Sequence, residues 1–243
     1  FTSGFSVTLT DVEGRNYSIE TSRSNIVIRS SLLVMPAVSL DSSDILNFWD
    51  GTIPDASPLA KEQGSYMIDE AADLAWLSVR ANAEGLEPSS TFVLKTNLDM
   101  SHQSALQPLY LPKDSEFKGE GHTIKGLKDA LLGDVTDVSV SDLTLAESEV
   151  ASPHSHKGAL VNILRGSAVF SNVTVRNSSV AASGGAAGAM AGYIVRKESY
   201  AREEQLEVVF DNCRVVNTAV EGSVSEGHFV GLLSGYDNGE VLR

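Results

Sequence analysis

Two histidines have a spacing that suits a metal site. His154 and His156 are separated by one residue, so on a strand both imidazoles would point to the same face. A zinc site needs at least three protein ligands, and the only carboxylates within several residues are Glu147 and Glu149. We therefore predict an exposed loop here, with no metal and no cofactor bound.

Catalysis on a sugar polymer would need acidic side chains that converge on the substrate. Glycosidases place two carboxylates about 5–10 Å apart. Glu147 and Glu149 are isolated, because uncharged residues stand at their aligned positions in the two other copies of the repeat described below. The aligned outward positions carry no carboxylate cluster; they are Ser139, Ser141, Thr144, Ser171, Thr174, Arg176, Asp211, Arg214 and Val216. We predict no catalytic residue and a protein that is not an enzyme, and the sequence assigns no ligand-binding residue.

Aromatic side chains are the other candidates, because they can stack on a sugar. Trp76 falls on the apolar stripe of a predicted helix and is expected in the core. For Trp49 and Tyr66, the sequence does not decide between packing in the core and contact with a ligand. The single cysteine, Cys213, excludes an intrachain disulfide; it aligns with aliphatic residues in the other repeats and is predicted to be a buried small hydrophobe.

Composition excludes several classes of protein. The 243 residues are 42% hydrophobic and 21% charged, enough for a folded core. The net charge of −14, with no basic run, argues against a nucleic-acid partner. No run of about 18 apolar residues is present, so no membrane span is predicted. The chain begins at Phe1 within a strand-like pattern, which indicates a processed piece whose export signal is not in this sequence.

One ten-residue pattern occurs three times, at 141–150, 171–180 and 211–220. Aligned on Asp142, Asn172 and Asn212, the copies are 30 and 40 residues apart. Each copy has apolar residues at the same places and a small hydroxyl residue six positions after the anchor. The aligned sets are Val140, Phe170 and Phe210; Leu145, Val175 and Val215; Val150, Val180 and Val220; and Ser148, Ser178 and Thr218.

A second, glycine-containing pattern follows each copy, at 158–164, 188–194 and 227–233. It begins 16, 16 and 15 residues after the anchor, so the two patterns form one structural unit. The charged segment 197–206 accounts for the longer second offset and is predicted to be a solvated insertion.

The alternation of apolar and polar residues predicts short strands with one face in a core. Asp and Asn tolerate left-handed backbone angles, so the anchors predict corners. Repeated strand–corner–strand units predict an all-β fold, a right-handed parallel β-helix (solenoid). Aligned apolar side chains would stack from unit to unit, each worth about 2 kcal/mol on burial.

The residues before the repeat predict other elements. A helix at 69–83, with Asp69 as its N-cap, is expected to cap the solenoid. A strand at 91–100 and a glycine-rich turn at 117–127 would lead into the first repeat. Residues 1–45 predict a small antiparallel β segment with a hairpin turn near Gly14, 46–65 a linker or capping loop, and 66–243 the β-helix.

Residues 66–243 resemble the GLUG-type β-solenoid surface proteins of Bacteroidetes. The resemblance rests on a helix of the form YMIDEAADLAWL, on TFVLKTNLDM, and on FKGEGHTIKGL. ALLGD at 130–134 replaces that family's Gly-Leu-Phe-Gly. The matching motif residues are Phe117, Gly119, Gly121, His122, Ile124, Gly126 and Leu127.

The N-terminal segment resembles the last strands of fimbrillin-like domains, through MPAVSL at 35–40. Together the two resemblances imply a non-enzymatic protein of the bacterial surface, extracellular and associated with the outer membrane. They imply a role in cell adhesion or as a fimbria-associated binding module, with a host or bacterial surface glycan or protein as partner. A carbohydrate-active β-helix enzyme (a polysaccharide lyase or glycoside hydrolase) and a structural spacer in a larger surface protein are the alternatives.

Overall fold

The described part of the chain consists mostly of β-strands, with one α-helix. The computed structural model describes residues 5–10, 16–21, 45–55, 59–80, 86–102, 106–152, 156–195, 207–222, 230–231, 234–237 and 241–242. Most strand pairs within these ranges are parallel.

The N-terminal strands are antiparallel to one another. β1 (Phe5–Thr10) and β2 (Asn16–Thr21) pair in antiparallel orientation, as expected, and β2 also pairs with β3 (Ile45–Phe48). The turn predicted near Gly14 lies outside the described residues. A second hairpin joins β4 (Ala60–Glu62) to β5 (Ser65–Ile68). The further strands predicted between residues 22 and 40 lie outside the described residues.

The segment 46–65, predicted to be a linker or capping loop, carries most of β3 and all of β4. The predicted boundary at residue 45 falls inside β3. Turn residues around Trp49 suggested an unstructured connection, but the residues before them form a strand inside sheet 2, between β2 and β7.

Helix α1 (Ala71–Arg80) begins two residues later than predicted and is described to Arg80. Asp69 is not its N-cap. Instead, the Asp73 carboxylate accepts the backbone N–H groups of Asp69 and Glu70, both at 2.8 Å. An acidic side chain at the third helical position can reach back in this way to N–H groups that the helix leaves unpaired. The inner face of α1 is buried in the common core; its residues there are Ala71, Leu74, Ala75, Trp76 and Leu77.

The segment before the repeat already pairs like the repeat. β6 (Thr91–Leu94) and β7 (Asn97–Asp99) are followed by β8 (Glu116–Lys118) and β9 (Thr123–Lys125). β6 pairs in parallel with β5 and β8, and β7 with β3 and β9. The predicted turn at 117–127 is therefore two strands around a corner at Glu120 and Gly121, where φ is +47° and +84°. The three glycines of the segment favoured a turn over strands in the sequence analysis.

Each of the next two units contributes four strands. Unit 1 contains β10 (Leu132–Ser141), β11 (Thr144–Ala146), β12 (Glu149–Ser152) and β13 (Lys157–Gly158). Unit 2 contains β14 (Val161–Ser171), β15 (Thr174–Arg176), β16 (Ser179–Ala182) and β17 (Ala187–Gly188).

In unit 3, two shorter strands take the place of the long first strand of units 1 and 2. It contains β18 (Ala191–Val195), β19 (Glu207–Asp211), β20 (Arg214–Val216), β21 (Ala219–Gly222) and β22 (Val230–Gly231). β18 and β19 both pair with β14, and the insertion predicted at 197–206 lies outside the described residues between them. β23 (Ser234–Asp237) and β24 (Val241–Leu242) follow, paired with β18 and β19.

Units 1 and 2 each add one strand to each of four sheets, and unit 3 adds two strands to sheet 1 and one to each of the others. Sheet 1 has the order β23-β18-β14-β10-β8-β6-β5-β4, with β19 on β14 and β24 on β19. Sheet 2 has the order β1-β2-β3-β7-β9-β11-β15-β20. Sheet 3 is β12-β16-β21, and sheet 4 is β13-β17-β22. The N-terminal strands therefore extend two of the sheets that the repeat builds.

The predicted stacking of aligned apolar residues is confirmed. Phe170 pairs with Val140 on one side and Phe210 on the other, with the two phenyl centroids 5.1 Å apart. The other two aligned sets are partners in register as well, in sheets 2 and 3. The first stack continues toward the N-terminus through Phe117 and Phe92.

The predicted corners are also confirmed. Asp142, Asn172 and Asn212 have φ of +53°, +55° and +50°. Their side chains form a ladder in which Asn172 Nδ2 donates to Asp142 Oδ1 and Asn212 Nδ2 donates to Asn172 Oδ1, both at 2.7 Å. Each amide thus satisfies a polar group of the neighbouring unit at the place where the backbone turns.

The predicted alignment of the third glycine pattern is wrong. Gly158 pairs with Gly188 as expected, but Gly188 pairs with Gly231, not with Gly227. The connection between β21 and β22 is longer than the one between β16 and β17. Two glycines four residues apart made the earlier one the apparent match in the sequence.

Candidate functional site

A second corner in each unit, which the sequence reasoning missed, organises the candidate site. Glu147, Asn177 and Asn217 have φ of +50°, +51° and +44°. The signal was present in the sequence as Asn at two of these three aligned positions, since Asn favours left-handed angles. Glu147 obscured it, because a glutamate suggested an outward functional group.

The hydroxyl residue that follows each second corner holds it in place. The side chains of Ser148, Ser178 and Thr218 each donate to the carbonyl two residues earlier, at 3.1, 2.8 and 3.0 Å. Ser178 Oγ also accepts the Ser148 backbone N–H at 3.1 Å. Ser148 and Ser178 are buried, so these bonds satisfy groups that would otherwise be costly to bury.

An open groove of about 790 Å³ runs across the three units at this second corner. We call it the corner groove. Its walls are mostly polar and lie where sheets 2 and 3 meet. The lining residues are Glu147, Ser148, Glu149, Asn177, Ser178, Ser179, Val215, Asn217, Thr218 and Ala219.

Exposed amides and carboxylates give the corner groove its hydrogen-bonding capacity. Asn217 Nδ2 donates to Asn177 Oδ1 at 3.0 Å, which aligns the two amides along the stacking direction. Glu147 and Glu149 lie in unit 1 and are exposed. Parallel strands lie about 4.8 Å apart, so the groove repeats polar groups at that spacing.

An ion-paired lysine adjoins the unit 1 end of the groove. Lys125 Nζ lies 3.2 Å from Asp99 Oδ2 and 3.9 Å from Glu147 Oε2. Asp99 Oδ1 also accepts the Ser101 backbone N–H at 3.0 Å, so this carboxylate belongs to a turn. We call Asp99, Lys125 and Glu147 the charged triad. The sequence search missed it because only the three aligned repeats were compared, and two of its members come before them.

The histidine pair is only partly described, because His154 lies outside the described residues. Within the described ranges, no group of three His, Cys, Asp or Glu side chains could hold a metal ion. The prediction of an exposed loop is wrong for His156, which is half-buried, accepts the Ala186 N–H at Nδ1 (2.9 Å) and stacks on Tyr193 with centroids 4.4 Å apart.

The aromatic candidates pack inside the fold. Trp49 is 3% exposed and donates through Nε1 to the Thr52 carbonyl at 2.6 Å, so the open choice is resolved in favour of packing. Trp76 is buried in the core, as predicted. Tyr66 stacks on Phe92 with centroids 5.3 Å apart. None of the three offers a free platform for a sugar.

Cys213 is less buried than predicted. It is half-buried in unit 3, and its Sγ lies 3.2 Å from the Phe170 carbonyl oxygen. Burial raises the pKa of this thiol above its ordinary value. Its surroundings are those of a packing residue at the end of a stack.

Comparisons with known proteins give little that bears on function. No family model matches the chain, and no curated protein matches it. A solved structure described as a putative immunoglobulin A1 protease from Bacteroides ovatus is similar, with a TM-score of 0.41 and 18% identity over 74% of this chain and 77% of that one. A likeness at this level carries no argument about activity. Among the described helical residues, none form a segment long and apolar enough to cross a membrane.

Proposed function

We propose that this chain is a non-enzymatic binding module that holds an extended surface glycan along the corner groove. The carrying observation is the groove itself, where an exposed polar side chain recurs at the second corner of each unit, as Glu147, Asn177 and Asn217. A polymer lying along the stack would meet the same donors and acceptors repeatedly, and uncharged hydrogen-bonding groups suit hydroxyl-rich ligands.

The module would be a right-handed parallel β-helix capped by α1. Parallel pairing of successive units in four sheets supports this architecture, and parallel crossovers are right-handed in about 98% of cases. Burial of the α1 inner face in the same core as Phe92 and Leu94 supports a capping role.

The proposed setting is the bacterial cell surface, in adhesion or in association with fimbriae. The resemblance to GLUG-type and fimbrillin-like proteins supports it, together with the net charge of −14. The ligand would be a glycan, free or attached to a surface protein, of host or bacterial origin.

A glycan array tests this proposal with two matched variants. In one, Asn177→Gly and Asn217→Gly remove both groove amides while allowing the positive φ of the corner. In the control, Asn172→Gly and Asn212→Gly make the same change at the first corner, away from the groove. We expect the groove variant to lose binding about tenfold or more, as for loss of two hydrogen bonds to a ligand, and the control to retain it.

The charged triad favours one second candidate, a carbohydrate-active enzyme, because it places an ammonium between two carboxylates next to the groove. A lyase and glycosidase assay on the array-positive glycans separates the two. Binding without turnover supports the binding module. Turnover that is abolished by Lys125→Met supports the enzyme. The absence of both binding and turnover supports a structural spacer.

A further inference from the structure

The outward face of sheet 2 carries no carboxylate from β9 to β20. Strands β9, β11, β15 and β20 have three residues each, and the middle residue of each points into the core. We call the eight outward residues the sheet 2 face; they are Thr123, Lys125, Thr144, Ala146, Thr174, Arg176, Arg214 and Val216. Three of the eight are cations, although the net charge of the chain is −14. This face is therefore a basic surface on an acidic protein.

Two arginines of the sheet 2 face have no ionic partner among the described residues. Arg176 and Arg214 are exposed, and neither guanidinium forms an ion pair with a described carboxylate. Arg165 on sheet 1, in contrast, binds the Asp134 carboxylate through two hydrogen bonds. The chain has 32 acidic residues and 18 lysines and arginines, so the unpaired arginines do not reflect a shortage of carboxylates.

The two arginines are close enough to bind one anionic group together. Arg214 pairs in register with Thr174, so its Cα lies one strand across and two residues along from that of Arg176. With about 4.8 Å between strands and about 3.3 Å per residue, the two Cα atoms are about 8 Å apart. An arginine side chain is long enough to reach across this gap, and its planar guanidinium donates two parallel hydrogen bonds to one anion.

The carboxylates nearest in the repeat lie beyond the sheet 2 face. Glu147 stands at the second corner of unit 1, 3.9 Å from the Lys125 ammonium. Glu149 lies on sheet 3 and Asp211 on sheet 1. The negative net charge opposes non-specific binding of polyanions, so an anionic ligand would be held by direct contacts with the two guanidiniums.

The sheet 2 face borders the corner groove. Arg176 directly precedes Asn177, and its carbonyl accepts the Ser178 hydroxyl at 2.8 Å. Both Asn177 and Ser178 line the groove. Arg214 lies three residues before Asn217, which lines the groove in unit 3. A sugar chain in the groove would therefore have substituents within reach of the two arginines.

We propose that the glycan held in the corner groove is acidic, and that Arg176 and Arg214 together bind a carboxylate or sulfate group on it. This inference rests on the proposed function and adds to it the chemical class of the ligand. Arginine suits this role, because it stays charged at physiological pH and its fork of donors matches both anions. A neutral glycan would make the groove contacts only and would leave both guanidiniums to water.

Matched pairs of glycans that differ only in an acidic group test the class of ligand. The pairs are sialyllactose and its methyl ester, oligogalacturonate and its methyl ester, and sulfated and unsulfated N-acetyllactosamine. We expect the unmodified protein to bind the acidic member of at least one pair about tenfold or more tightly, because the neutral member lacks the charge-assisted hydrogen bonds. A preference within the first two pairs identifies a carboxylate ligand, and a preference within the third identifies a sulfate.

Two double variants with the same loss of charge locate the acidic group. Arg176→Gln with Arg214→Gln removes both cations of the proposed site. Arg165→Gln with Lys118→Gln is the control and removes two exposed cations from sheet 1, whose surface ion pairs contribute little to stability. We expect the first variant to bind acidic glycans as weakly as their neutral partners, with unchanged binding of the neutral ones. The control should keep the preference for acidic glycans.

Three results would overturn the inference. Equal binding of the acidic and neutral members would do so, and would leave the groove as a site for neutral glycans. A preference for acidic glycans that both double variants reduce equally would also overturn it, because the effect would then be one of net charge. Absence of binding to any glycan would overturn the proposed function and this inference together.

Discussion

At the scale of the residue, the corner asparagines combine a backbone requirement with a ladder of side-chain hydrogen bonds. Asn172 has φ of +55° and bonds to both neighbouring corners. Asn172→Val should lower the free energy of unfolding by about 2 kcal/mol or more, since a β-branched residue disfavours left-handed angles. Asn172→Gly removes the side-chain hydrogen bonds but still allows the left-handed backbone angle, so it should lower the free energy of unfolding by less. Urea unfolding of both variants measures this, and equal losses would contradict the backbone argument.

Asp73 gives a prediction for pH dependence. Burial raises the pKa of this carboxyl above its ordinary range, against the opposing effect of the N–H groups of Glu70 and Asp69. A raised folded pKa means that stability from the protonated form is present at acid pH and is lost as the pH rises through that pKa. Asn at this position still accepts the two N–H groups but does not ionise.

The stability of the wild type relative to Asp73→Asn should therefore fall as the pH rises from about 4 to 7. Asp73→Ala, which removes the acceptor, should cost about 1 kcal/mol near neutral pH. Chemical denaturation at several pH values checks both. A wild type that gains stability over Asp73→Asn with rising pH would show that the hydrogen bonds, not burial, dominate.

Single residues were predictable from sequence where type and position agreed. Asp142, Asn172 and Asn212 are left-handed residues at a constant place in a repeat, and Trp76 lies on an apolar stripe. Glu147 was misread, because its corner role is fixed by alignment with Asn177 and Asn217 and by the Ser148 hydroxyl bond, not by its own type. The charged triad joins residues far apart in sequence, so spacing within the repeat held no sign of it.

At the scale of the element, the stacks of apolar side chains set the stability of each added unit. Phe170 lies between two neighbours and is fully buried, whereas Phe210 is only partly buried. Phe170→Ala should cost about 3 to 5 kcal/mol, as for other buried aromatic truncations. Phe210→Ala is the matched control in the same stack and should cost clearly less. Equal losses in thermal or urea unfolding would mean that unit 3 is covered in solution.

Elements were predictable where short alternating runs recurred at the same place in each repeat, as in 171–180. They were missed where glycine or turn residues broke short strands, as in β8, β9, β3 and β4. Three- and four-residue strands gain their pairing from neighbours in the sheet, which a linear pattern does not contain. The misassigned Gly227 shows the same limit, because either of two glycines satisfied the local pattern.

At the scale of the whole molecule, each unit contacts mainly the units before and after it, so stability is a sum of neighbouring interfaces. The proposed glycan site depends on the same geometry, because the residues that line the corner groove come from units 1, 2 and 3. In-register stacking of successive units is therefore the central claim, on which the glycan proposal rests.

Disulfide trapping tests this claim most directly. Ser179 and Ala219 are register partners in sheet 3, so Ser179→Cys with Ala219→Cys, in a Cys213→Ala background, should form an intramolecular disulfide on mild oxidation. Ser179→Cys with Glu221→Cys moves one thiol two residues along the same strand, beyond the Cα separation of about 7 Å that a disulfide spans. We predict rapid closure in the first pair only; equal closure in both pairs, or in neither, would contradict the register.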